Sequence, residues 1–337
     1  MDSSRNTNPD GPVLVAGGAG FLGAHLCRRL VEEGRTVICL DNLQTGSEGN
    51  LEWLPGHPRF SLVVHDVVDP IPIDGPLARI YNLACPASPV HYQADPVHTL
   101  LSCVSGARNL LELARATGAR ILQASTSEIY GNPLEHPQRE SYHGNVNIVG
   151  PRSCYDEGKR CAETLFSDFG ARHGVETKIA RIFNTYGPGM SSDDGRLVSN
   201  LIVQALSRCP LTIHGDGSQT RSLCYVDDLI EGLVRLMESE PSFRGPVNLG
   251  NPSEATVLDI ARRIGELVGT GAPFKFLPLP ADDPERRCPD ITLARRRLDW
   301  QPVIGIDEGL RQTIDYFMGR RAAGAAPASV PEDENLG

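Results

Sequence analysis

The stretch Val13–Gly23, VLVAGGAGFLG, narrows the possible folds more than any other part of the chain. Four consecutive apolar residues run into glycines spaced by three, Gly17, Gly20 and Gly23, while Leu22, Leu26 and Leu30 recur four residues apart. A short apolar run followed by a helical period reads as a buried strand passing through a tight turn into an amphipathic helix. Further apolar runs at 36–40, 60–64, 79–83, 119–124 and 177–182 alternate with longer amphipathic stretches. Such alternation predicts an α/β fold, a Rossmann-type doubly wound parallel sheet. Past about Gly187 the texture changes: Pro and Gly become frequent, and helices expected over 225–238 and 256–268 are separated by long loops. The reading is a Rossmann domain over 11–186, a smaller C-terminal α/β region over 187–318 laid on the strand ends, and flexible ends at 1–10 and 320–337.

Composition removes several classes of function. Lys and Arg number 32 against 42 Asp and Glu, a net charge of -10, which repels a phosphate backbone, so no nucleic-acid partner is expected. The nine cysteines (Cys27, Cys39, Cys85, Cys103, Cys154, Cys161, Cys209, Cys224, Cys288) are an odd number without a C-x-x-C pair. That pattern suggests neither a disulfide framework nor a metal site, and it suits a reducing compartment. The first ten residues lack an apolar signal core, and no apolar run approaches the roughly 18 residues that span a bilayer. A soluble, cytoplasmic chain with no membrane contact is expected.

The glycine turn has a specific use. Glycines allow the tight turn, a close approach of backbone to a pyrophosphate and close helix packing, and the helix N-terminus faces the negative charge. Asp41 closes the next apolar run at the distance expected of the acid that holds an adenosine ribose. An acid there repels a 2′-phosphate, so the cofactor expected is NAD rather than NADP. Asp66, at the end of the third run, is expected at the adenine edge.

Chemistry is suggested further on. The fifth run ends in Thr126-Ser127-Glu128, and Tyr155-Asp-Glu-Gly-Lys159 opens a helix, with Tyr155 and Lys159 on one face. A phenol has a pKa of roughly 10, and a nearby cation together with the positive nicotinamide is expected to lower it, making a base for a sugar hydroxyl. Tyr-x-x-x-Lys alone is a common helical accident; behind a dinucleotide turn and a hydroxyl-rich strand end it indicates dehydrogenase chemistry.

Several segments now carry a family resemblance: Asp41-Asn-Leu-Gln-Thr-Gly46, Pro86-Ala-Ser-Pro89, Ala124–Glu128, Gly150–Arg160, Ala180–Pro188, Asp194–Asn200, Gly217–Arg221 and Asp282–Asp290. From Val15 to about Phe317 the chain resembles the extended short-chain dehydrogenases/reductases that modify nucleotide sugars. Within them it is most similar to the UDP-glucuronate decarboxylases, because 4,6-dehydratases carry an Asp-Glu pair where Ser127-Glu128 stands and 4-epimerases lack the acid.

The resemblance implies that UDP-glucuronate is oxidised at its 4-position, loses carbon dioxide as a 4-keto sugar and is reduced again to UDP-xylose. It implies Tyr155 as the base, Lys159 beside it, Thr126 on the reacting oxygen, and Ser127 and Glu128 on the far side of the ring. For the cofactor it implies Gly17, Gly20, Phe21, Leu22, Gly23, Asp41, Asn42, Gln44, Thr45, Gly46, Asp66, Val67, Leu83, Cys85, Tyr155, Lys159, Thr185 and Arg196, the last at the substrate end. For the nucleotide sugar it implies Pro86, Ser88, Asn184, Asn200, Arg221 and Arg287, with Arg221 and Arg287 clamping the diphosphate. A homodimer is implied, through a four-helix seam of the helix at about 95–117 and the helix carrying Tyr155.

The chain departs from the family where Cys85 replaces Ser, Leu101 a basic residue and Cys103 Asn, whereas Asn109 matches. Cys85 and Cys154 read as packed thiols. Other readings of the same residues are a 4-epimerase, a 4,6-dehydratase or a non-catalytic NAD-binding module.

Overall fold

The computed structural model describes residues 10–54, 56–279 and 286–322. The expected flexible ends fall almost wholly outside this range, as do Asp282–Glu285 of the Asp282–Asp290 segment.

Each apolar run forms a strand: β1 Val13–Ala16, β2 Val37–Asp41, β3 Phe60–Val64, β4 Arg79–Asn82, β5 Arg120–Thr126 and β6 Thr177–Ile182. Between them lie α1 Phe21–Glu32, α2 Pro89–Ala94, α3 Pro96–Leu101, α4 Ala107–Thr117 and α5 Ser153–His173. The second half adds β7 Thr185–Tyr186, α6 Leu197–Leu206, β8 Leu211–His214, β9 Thr220–Ser222, β10 Cys224–Tyr225 and α7 Val226–Glu238. It continues through β11 Val247–Leu249, β12 Glu254–Thr256, α8 Val257–Val268, β13 Phe274–Leu277, α9 Thr292–Leu298 and α10 Ile306–Ala322.

Seven strands make one parallel sheet in the order β11-β6-β5-β4-β1-β2-β3. Strand side chains alternate in direction, so β1 feeds two cores. Val13 and Val15 pack with Leu26 and Leu30 of α1 and Leu229 and Leu233 of α7. Leu14 and Ala16 pack with Leu110 and Leu111 of α4 and Phe166 of α5 on the other face. Each such large aliphatic or aromatic side chain contributes about 1.5–3 kcal/mol of burial.

Three expectations need correction. The division at 186/187 is not clean, because β11 completes the sheet beside β6 and α7 packs on α1. Among the described residues three small two-stranded sheets, β10-β7, β12-β9 and β13-β8, stand apart from the main one. The end expected to be flexible from 320 begins inside α10, which runs through Ala322. The helix expected over about 95–117 runs from Pro96 to Thr117, and what the expectation lacks is the π-type turn at Ser102–Gly106 that joins α3 to α4. A Cβ on Gly106 would lie 2.7 Å from Val67 Cγ2, so the turn brings this backbone against the end of β3 as no bulkier residue could.

Candidate active site

A cleft of about 490 Å³ opens at the C-terminal ends of β1 and β4, where the strand order reverses. Gly17 sits there at φ +76°, where an added Cβ would lie 2.7 Å from the carbonyl carbon of Leu83. On Gly23 it would lie 2.0 Å from the Gly17 carbonyl oxygen. The glycines thus let β1, β4 and α1 meet closer than side chains allow. Gly20 precedes α1 and lines the cleft, and no side chain caps the helix. The first-turn N–H groups of Phe21, Leu22 and Gly23 therefore lack intrahelical partners at the positive end of the helix dipole.

Of the residues expected at the cofactor, Gly17, Gly20, Asp41, Asn42, Gln44, Thr45, Asp66, Val67, Leu83 and Cys85 line this cleft, with Pro86 from the substrate set. Asp41 accepts the N–H groups of Ala19 (2.9 Å) and Leu43 (2.8 Å), and Gly46 packs against its carboxylate. Burial raises the Asp41 pKa against those two bonds. Asp66 accepts from Val68 N–H and Asn42 Nδ2, and it pairs with His98 Nε2 at 2.9 Å. Burial works against these contacts, which together hold the Asp66 carboxyl below its ordinary pKa. Asp66, like Asp41, thus lines the cleft with its carboxylate braced by bonds within the chain. His65, His98 and Ser102 line the cleft too, unforeseen because they belong to no local motif. Thr185 instead donates to Phe183 O, and Arg196 pairs with Asp194 and lies over the Phe21 ring.

The reactive end lies where β5, α5 and the Arg287 segment meet. Tyr155 is buried and stacks on Tyr92, with ring centroids 5.1 Å apart. Lys159, one turn on, donates from Nζ to Ala124 O at 2.9 Å and lies 5.7 Å from the Tyr155 ring centroid. Burial pushes the Tyr155 phenol well above its ordinary pKa; Cys85 and Glu128 add to this, and the Thr126 hydroxyl bonded to it works the other way. The expected lowering is therefore absent in the chain by itself. Thr126 and Ser127 are both buried at the end of β5, and Thr126 Oγ1 accepts from Glu128 N–H.

Glu128 is where the structure departs furthest from expectation. Arg287 forks onto its carboxylate, with Nη2 to Oε2 at 2.8 Å, and Arg152 Nη2 reaches the same oxygen at 2.8 Å. Burial would raise this carboxyl, but the charges of Arg287 and Arg152 outweigh it and hold the group below its ordinary value. Arg287 thus meets Glu128 beside Tyr155 and Thr126 in this structure. Asp156, buried beside this cluster, has its pKa raised to about 7 by burial and by Glu128. Tyr92 Oη and Asp156 Oδ1 are buried without a hydrogen-bond partner.

The remaining expected substrate residues contact the chain's own backbone. Ser88 donates to Asp194 O, Asn200 Nδ2 to Gly195 O and Arg221 to Thr220 O, while the backbone carbonyl of Asn184 accepts from Cys224 N–H. Away from the cleft, His136, Glu254 and Cys288 bring one ligand-type atom each within 4.8 Å of one another, and His136 pairs with Glu254 at 2.8 Å. No metal site was expected from the sequence.

Residues 13–250 match the model of the NAD dependent epimerase/dehydratase family. The chain belongs to this family. UDP-glucuronic acid decarboxylase 1 of Arabidopsis thaliana is 53% identical over 308 residues, 91% of this chain and 70% of that one. UDP-glucuronic acid decarboxylase 1 of Xenopus tropicalis is 51% identical over 305 residues, 90% and 72% of the two chains. A crystal structure of UDP-glucuronic acid 4-epimerase from Bacillus cereus, in complex with UDP-glucuronic acid and NAD, matches with a TM-score of 0.80 at 27% identity. That match covers 91% of this chain and 99% of the other.

The cleft fits the cofactor of the epimerase/dehydratase family. The uncapped start of α1 suits a pyrophosphate, a Cβ on Gly20 would have no contact closer than 3.4 Å, and Asp41 lines the same cleft. Among the described residues no helix is long and apolar enough to cross a membrane.

Proposed function

We propose that the chain converts UDP-glucuronate to UDP-xylose and carbon dioxide through a 4-keto sugar, with NAD regained at the end. The observation that carries this reading is the placement of ionised Glu128 and two arginines beside Tyr155 and Thr126. That cluster carries one more positive than negative charge when Asp156 is protonated, which suits a sugar that brings its own carboxylate. NAD, when bound, supplies the hydride acceptor for the 4-carbon and a positive charge near the phenol.

Tyr155 takes the 4-hydroxyl proton, and Thr126 orients the oxygen through its bond to the phenol. With a ketone β to the carboxylate, carbon dioxide leaves as electrons pass to the carbonyl oxygen, where the Tyr155 O–H donates. Glu128, fixed by Arg152 and Arg287, is positioned with Ser127 on the far side of the ring. The two unpartnered atoms, Tyr92 Oη and Asp156 Oδ1, support a polar occupant at this end. Asn184, Asn200 and Arg221 remain candidates for the uridine diphosphate.

A homodimer through α3, α4 and α5 is part of the proposal. Support comes from Val97, Leu100 and Leu101, all exposed on α3 beside α5. The nine free thiols support a reducing, cytoplasmic setting.

The test is to incubate the chain with UDP-glucuronate and NAD and follow carbon dioxide and sugar-nucleotide mass. A UDP-pentose without net NADH, lost in Tyr155→Phe, is the expected result. An unchanged mass with inverted C4 overturns decarboxylation in favour of epimerisation, and NAD binding without turnover overturns the enzymatic reading for this substrate.

A further inference from the structure

Two thiols, Cys85 and Cys103, meet in space. Cys85 follows β4 and lines the cofactor cleft; Cys103 lies in the π-type turn between α3 and α4. Eighteen residues apart in sequence, their sulfurs are 3.2 Å apart. A disulfide has a sulfur–sulfur length of about 2.0 Å, so bonding requires a closure of about 1 Å. Cys103 is also pressed against the catalytic helix. A Cβ on Gly158, between Tyr155 and Lys159, would lie 2.9 Å from Cys103 Cβ.

The pair is chemically unequal. Burial pushes the Cys85 thiol well up, whereas the hydrogen bond from Cys85 and the charge of Lys159 lower Cys103. Cys103 thus gives up its proton more readily than Cys85, and a thiolate within 3.2 Å of its neighbour is a nucleophile for that neighbour once oxidised. Cys85 also borders the cleft, which gives a small oxidant a way in.

We propose that Cys85 and Cys103 form a thiol-oxidation site in which a reversible disulfide between them switches the enzyme off. A peroxide is the oxidant. One thiolate of the pair attacks the peroxide O–O bond; the S–O bond forms, the O–O bond breaks, and the hydroxide that leaves takes up the proton which that thiol had released, giving a sulfenic acid and one water. The other sulfur then attacks the sulfenic sulfur; the S–S bond forms, the S–O bond breaks, and hydroxide leaves with the remaining proton as a second water. Two thiols are oxidised by two electrons and one peroxide is reduced. A dithiol reverses the step by exchange. Closure draws the Cys85 wall of the cleft toward the turn packed on α5, and a displacement of about 1 Å near reacting groups costs up to about a hundredfold in rate.

The experiment treats the reduced full-length chain with hydrogen peroxide, blocks free thiols, maps cysteine peptides by mass and measures turnover of UDP-glucuronate. The expected result is a Cys85–Cys103 cross-linked peptide and a loss of activity of about tenfold or more, restored by dithiothreitol. Cys103→Ser and Cys103→Ala, each compared with its own untreated sample, keep their activity through the same treatment. Saturation with NAD before treatment slows the cross-link; this arm and the turnover arm rest on the proposed function, and the peptide map stands without them. Free Cys85 and Cys103 after treatment, a cross-link to the neighbouring Cys154 instead, or equal inactivation of the Cys103 variants overturns the proposal.

Discussion

Glu128 keeps two guanidinium groups together in a buried place, so removing its charge acts on both. Glu128→Gln leaves Arg152 and Arg287 facing one another without their anion. Turnover of UDP-glucuronate is expected to fall by about a hundredfold or more. NAD binding, measured by fluorescence or calorimetry, stays near its parent value, because Glu128 does not line the cleft. Asp156 supplies a pH dependence. Its folded pKa of about 7 lies above the ordinary 3.8, so the folded chain binds this proton more tightly. Its contribution to stability is present in full below about pH 4 and is lost as pH rises to about 7. Asp156→Asn should flatten the fall in Tm across that window and make the variant the more stable chain above it, by a few kcal/mol at most. An unchanged pH profile in the variant would count against a buried proton there. The glycines and Asp41 were legible because the spacing of a strand, a tight turn, a helix and the next strand is regular enough to be read along the chain. The Glu128–Arg287 pair spans 159 residues, and no local pattern encodes it.

Helix α5 works as a beam that carries chemistry on one face and bracing on another. Tyr155, Lys159, Ala162 and Phe166 form its buried stripe, and Glu163 forks onto Arg181 of β6 at 3.0 and 2.8 Å. Arg181 also donates to Tyr130 Oη, which donates to Asn248 Oδ1 of β11 at 2.8 Å. One phenol thus ties the segment after Thr126 to α5, β6 and β11. Tyr130→Phe leaves a buried carbonyl-type acceptor and a guanidinium short of a partner, and an unfolding-stability loss of about 1–3 kcal/mol is expected in denaturant titration. At the other end of the sheet, Gly23→Ala drives a methyl into the Gly17 carbonyl. A cost of about 1–3 kcal/mol or more and lost NAD binding should follow. Strands and helices of this kind were readable from apolar periods alone. The π-type turn at Ser102–Gly106 was not, because the apolar period runs through it unchanged and the close neighbour of Gly106, Val67, lies 39 residues earlier in the chain.

Over the whole molecule, the sheet is not the property of the first half of the chain. The sequence reading found six strands and missed the seventh, since β11 is three residues long and stands in a Pro- and Gly-rich region where no βαβ period survives. It also drew a boundary that β11 and α7 cross. A chain stopped at about residue 240 should therefore scatter light and precipitate rather than bind NAD, because the buried flank of β6 becomes an unpaired edge. The same arrangement sets a timetable for synthesis. Between Ile182 and Leu249 about 70 residues must leave the ribosome, which at about 5–20 residues per second takes roughly 3–14 s. During that interval the growing polypeptide offers a nearly finished sheet with one side open, and a chaperone that shields strand edges has its window of use there.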